Sequence, residues 1–106
     1  MDQFRAEQLE KIRWQIGVII KSWPKVDRVV LDDEVHYVLG ETVFCILKSN
    51  QHILRPATSE LADQLKDQYD VELLNPKELS FSLDTYEFTD LIPITEEVYR
   101  SHILRD

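Results

Sequence analysis

The sequence predicts an α+β domain: a long N-terminal helix, an antiparallel β-meander or sheet of about four to six short strands, and a middle helix and a short C-terminal helix packed on the sheet. Three observations carry that expectation. Leu9, Ile12, Ile16, Ile19 and Trp23 recur at helical spacing and stop at Pro24. Residues 26–56 are rich in β-branched and aromatic side chains that alternate with period two. Two further helix-like stretches follow, each headed by a hydroxyl residue suited to capping.

The first helix is expected over residues 2–22. Its apolar positions form a seam, with Ile20 and Val18 widening it and Glu7, Gln8, Lys11 and Lys21 on the wet side. Pro24 cannot donate a backbone hydrogen bond and disfavours helical geometry at the residue before it, so the helix ends there. Trp14 falls off the seam.

In the meander, Val35, Tyr37 and Leu39 share one face, with His36 and Val38 opposite. Val43, Cys45 and Leu47 share a face, with Thr42, Phe44, Ile46 and Lys48 opposite. Gly40-Glu41 suits a two-residue hairpin loop, since glycine accepts positive φ, and Ser49-Asn50 suits a second turn. The strand over residues 42–48 is apolar on both faces and belongs in the middle of the sheet. A helix over residues 35–47, capped by Asp32 or Asp33, competes with this reading. It would place Gly40 in mid-helix at a cost of roughly 1 kcal/mol.

Thr58 or Ser59 caps the middle helix, which buries Leu61, Ala62, Leu65 and Tyr69 and ends near Tyr69. Short strands are expected over residues 71–74 and 79–88, with Asp84-Thr85 as a turn or bulge. Pro93 reads as a break, and Thr95 as the cap of a last helix with Glu96 and Glu97 in its first turn and Arg100 and Arg105 near its end.

The 106 residues make a single domain: a helical segment over 1–23 and an α+β body over 24–106. Apolar residues make up 43% and charged residues 30%, the balance of a folded chain. No apolar run reaches the roughly 18 residues of a membrane span. The polar start and the single Cys45 point to a cytoplasmic setting without disulfides. Net charge is −8, unevenly spread. Residues 1–28 hold six Lys/Arg and four Asp/Glu, net +2, which leaves −10 on residues 29–106. Such a body repels nucleic acid and favours a basic protein partner. A weaker idea lays nucleic acid along the basic side of the first helix, with Trp14 as a stacking surface.

Chemistry is sparse. Asp32, Glu34 and His36 would point to one side of a strand, and with His52 they form the only metal-ligand set worth naming. Cys45 could act as a nucleophile with His36 or His52 as base, but its apolar flanks favour a buried, inert thiol. Phosphate loops, GxSxG, HExxH and CxxC are absent from the sequence. The reading is a small acidic, non-enzymatic protein-binding module without a cofactor. Inhibitor or immunity proteins, antitoxin-like neutralisers and chaperone-type adaptors share this size and charge, an analogy of class that no motif carries. Leu9, Ile12, Trp14, Ile16, Ile19 and Trp23 are the candidate surface for a partner or for a homodimer. The rival is a small metal-binding or hydrolytic domain built on Asp32, Glu34, His36 and His52.

Overall fold

The computed structural model describes residues 3–48, 51–83, 86 and 88–104. Helix α1 (Gln3–Lys21) leads into four antiparallel strands, β1 (Val26–Leu31), β2 (Glu34–Leu39), β3 (Thr42–Lys48) and β4 (Gln51–Leu54). Helix α2 (Ser59–Tyr69), strands β5 (Glu72–Asn75) and β6 (Glu78–Ser82) and helix α3 (Phe88–Leu104) complete the chain. This is the expected α+β architecture. The meander is stranded rather than helical, and Gly40 takes its turn with φ 68°. The six strands lie in the order β1-β2-β3-β4-β6-β5, so β6 pairs with β4 and pushes β5 to the far border.

Register decides which side chains face the helices. Tyr37 lies opposite Cys45, Val35 opposite Leu47, Leu47 opposite His52, and His52 opposite Phe81. Tyr37, Cys45, Leu47 and Phe81 join Ile16 and Ile20 of α1, Leu65 of α2 and Leu91, Ile94 and Val98 of α3 in one buried cluster. All three helices therefore cover the same face. Cross-strand partners Ile46 and Ile53 are also buried, on the opposite face and outside that cluster.

Strict alternation fails at one place. A register shift between Tyr37 and Val38, opposite Cys45 and Val43, makes Phe44 a bulge residue. Phe44 consequently turns to the helices and packs against Tyr99 and His102, instead of sharing a face with Ile46.

The middle helix forms as its sequence dictates. Thr58 is extended, and its hydroxyl accepts from the Leu61 amide at 3.2 Å. Asp70 closes the other end in the left-handed region with φ 52°. The last helix differs from expectation. It begins at Phe88, so Pro93 lies inside it and Thr95 is an interior residue rather than a cap. Pro93 stands early enough that its missing N–H and its ring disturb only the residues of the opening turn. The expected turns at Ser49-Asn50 and Asp84-Thr85, and Arg105, lie outside the described residues.

Candidate functional site

Two kinds of site were expected: an apolar surface on the first helix and a polar cluster in the meander. The seam of α1 is spent largely inside the domain. Ile16 is fully buried, and Leu9, Ile12 and Trp23 pack against the same core, Trp23 stacking on Tyr99 at 5.0 Å between ring centroids. Ile19 is half-buried. Trp14, off the seam, is 68% exposed, and Val18 one turn further on is 51% exposed.

Beside them runs β1, a border strand whose Val29, Val30 and Leu31 are all exposed. Helix and strand meet closely because residue 17 is glycine: a Cβ there would stand 2.5 Å from the Tyr37 hydroxyl oxygen. Arg13, Trp14, Gly17, Val18, Lys21, Arg28 and Tyr37 line a shallow groove of about 170 Å³ at this junction. Burial raises the Tyr37 pKa. The helix side thus combines exposed Trp14 and Val18 with Val30 of β1 and a rim of Arg13, Lys21 and Arg28, while Val29 and Leu31, paired with His36 and Glu34, face the opposite side of the sheet. Trp14 was legible as an off-seam residue. Val29, Val30 and Leu31 were missed, because strand order, and hence which strand is a border, is not written in periodicity.

The polar cluster does not assemble. Glu34 and His36 share a face and touch, with His36 Nε2 2.9 Å from Glu34 Oε1 and Lys48 Nζ 3.6 Å from Glu34 Oε2. The hydrogen bond from His36 leads the influences that hold the Glu34 carboxyl below its ordinary pKa. Asp32 lies apart, in the turn after β1 with φ 51°. His52 faces the helices on the other side of the sheet and is fully buried. Among the described residues no group of three or more His, Cys, Asp or Glu can hold a metal ion. The structure does not bring Asp32, Glu34, His36 and His52 together. Strand parity places His52 on the opposite face from Glu34 and His36.

His52 instead belongs to a dry polar knot. Thr95 Oγ1 donates to the Leu91 carbonyl at 2.7 Å and stands 2.7 Å from His52 Nε2, so His52 donates to Thr95 through Nε2–H. Nδ1 has no hydrogen-bond partner among the described residues. Burial pushes the His52 pKa down to about 3, which keeps the ring neutral. Cys45 Sγ lies 3.9 Å from Nε2, and burial raises its pKa, so the thiolate needed by a nucleophile is suppressed.

Two much wider clefts lie elsewhere. One, of about 770 Å³, lies between the β2–β3 turn and the start of β6, where Arg55 pairs with Glu78 at 2.6 Å and His102 Nε2 donates to the Arg55 carbonyl at 2.7 Å. Arg55, Glu78 and His102 are thus engaged with each other and with the backbone. The other, of about 830 Å³, is lined by Pro24, Leu39, Tyr99 and Ile103. Tyr99 there donates its hydroxyl to the Pro24 carbonyl at 2.6 Å, a bond that pins α3 to the end of α1. Among the described residues no helix is long and apolar enough to cross a membrane. No family model, curated protein or solved structure matches the chain.

Proposed function

We propose that the protein is a small acidic, non-enzymatic module that binds another protein through the outer face of α1 and the border of β1. One observation carries this reading: Trp14, Val18, Val29, Val30 and Leu31 are all exposed on adjoining elements. Large apolar residues scattered singly on a surface need no explanation, but exposed Trp14 and Val18 of α1 lie on the side of the sheet that also carries exposed Val30 of β1, and tryptophan is enriched in interface cores. Arg13 and Lys21 at the rim add directional polar contacts. The net −10 on residues 29–106 adds long-range attraction for basic surfaces.

A photo-crosslinking amino acid placed at Trp14, and separately at Leu74 on the far side of the sheet, tests the reading in cells. Protein adducts from position 14 and none from position 74 are expected. Equal yields from both positions, or no adduct from position 14, would refute it.

A further inference from the structure

The border of β1 has a polarity that selects its occupant. Lys21, Lys25 and Arg28 gather where the strand begins, and Asp32 and Asp33 form the turn where it ends. A strand laid antiparallel against β1 brings its own beginning beside the acidic turn and its own end beside the basic start. A second copy of the same strand meets that requirement twice, once at each end, by two-fold symmetry.

We infer that two copies of the chain pair through β1, antiparallel, with the two-fold axis passing through Val29 perpendicular to the sheet. The inference rests on the protein-binding reading above and names its partner. In an antiparallel ladder, residues that exchange both backbone bonds alternate with residues that exchange none. Leu31 and Glu34 flank the two-residue turn and exchange bonds with each other, so Val29 and Asp27 bond to β2, while Arg28 and Val30 turn their N–H and C=O groups outward. About an axis at Val29, Arg28 of one copy meets Val30 of the second and the reverse, and all four outward groups of each copy are matched.

The register follows from charge. An axis at Val29 brings Lys25, in the turn before β1, near the Asp32-Asp33 turn of the second copy and sets Arg28 one diagonal step from Asp32 of the second copy, against one diagonal Asp27–Asp33 approach. An axis at Val30 would set Asp27 against Asp33, and an axis at Arg28 would set two arginines face to face; like charges directly opposite destabilise a sheet. An axis normal to the sheet also keeps both α1 helices on one face, so Trp14 and Val18 of each copy flank the new strand pair. Two chains of net −8 repel at long range. The contact over residues 25–33, however, mixes Lys25 and Arg28 with Asp27, Asp32 and Asp33, and repulsion between more distant charges is screened over roughly 8 Å.

Light scattering coupled to size exclusion, run on the full chain over a wide concentration range, reads the outcome as mass. A two-chain mass is expected. Val30→Lys, which sets an ammonium in the new ladder, is expected to give the one-chain mass with an unchanged circular dichroism spectrum and a melting midpoint that no longer rises with protein concentration. Should that variant misfold, the turn charges provide a second probe. Lys25→Asp alone and Asp33→Lys alone each weaken the dimer at least tenfold, and the double variant restores it. Carbodiimide treatment of a mixture of isotopically light and heavy protein should join Lys25 of one chain to Asp33 of the other. A one-chain mass at every concentration, a dimer untouched by Val30→Lys, or swapped charges that fail to rescue would overturn the inference. Adducts from position 14 to a different protein alongside a one-chain mass would leave the binding reading standing and end this one.

Discussion

The sheet has two borders, and they are built in opposite ways. β5 is four residues long, its ladder with β6 is interrupted between Leu73 and Asn75, and it carries Glu72 and Asn75 at its ends. Helix α2 lies against β5 and β6, and an aromatic run of Tyr69, Phe81 and Tyr86 packs edge to face beneath it. Tyr86 further donates its hydroxyl to the Tyr69 carbonyl at 2.9 Å, tying the segment after β6 to the end of α2. β1 is longer and regular in register along its whole length, with exposed Val29, Val30 and Leu31 following exposed Asp27 and Arg28. Shortness, charge, a bulge and a covering helix are the devices by which proteins blunt a sheet border against strand addition. Both borders carry charge and lie against a helix, but β5 adds shortness and an interrupted ladder that β1 lacks, which makes β1 the border better suited to strand addition.

Breaking the closed border should cost the most. Phe81→Ala removes the ring that meets both Tyr69 and Tyr86, and a loss of about 3–5 kcal/mol in chemical denaturation is expected. Trp14→Ala, the removal of a larger ring from the open border, should change monomer stability by no more than about 0.5 kcal/mol. Comparable losses from the two would erase the contrast.

Acid should attack the sheet from its middle instead of its borders. His52 is neutral in the folded state, with its pKa held near 3, and takes up a proton more readily when unfolded, near 6.5. Its contribution is complete above pH ~6.5 and is lost as the pH falls toward 3, on the order of 5 kcal/mol in total. His52→Leu should flatten the unfolding free energy across that window; an unaltered slope would show that other groups drive it.

A smaller effect is expected where α1 meets β2. Gly17→Ala gains helix propensity but presses on the Tyr37 hydroxyl, and a net loss of about 1–2 kcal/mol should follow. Tyr37→Phe in the same chain should recover most of it, and failure to do so would place the crowding elsewhere. The smallest effect belongs to Leu74→Lys on the closed border, within about 0.5 kcal/mol and without change in mass. Any change in mass there would make the two borders equivalent.

The architecture was legible where local chemistry decides it. Pro24, the Gly40-Glu41 turn and the Thr58 cap each act through their own backbone, and each stands where its residue type requires. The doubly apolar strand over residues 42–48 lies inside the sheet, as burial on both faces demands. Thr95 misled because a hydroxyl that caps one helix can equally return its proton to a carbonyl one turn back inside another, as it does to Leu91. Phe44 misled because one extra residue in a strand reverses parity, and only the partner strand reveals it. The open border was hidden for a related reason. Val29, Val30 and Leu31 resemble core residues until the strand order leaves them without a neighbour.

The placement of β6 between β4 and β5 has a consequence for biosynthesis. The first four strands follow one another through short connections, and they can zip up as soon as they leave the ribosome. Leu79 and Phe81, which close the apolar cluster, arrive some thirty residues after their partners Leu54 and His52. A nascent or truncated chain that stops before residue 78 therefore displays an uncapped oily face as well as two bare strands. Such a fragment is an aggregation hazard that the finished chain, with one strand border sealed, no longer presents.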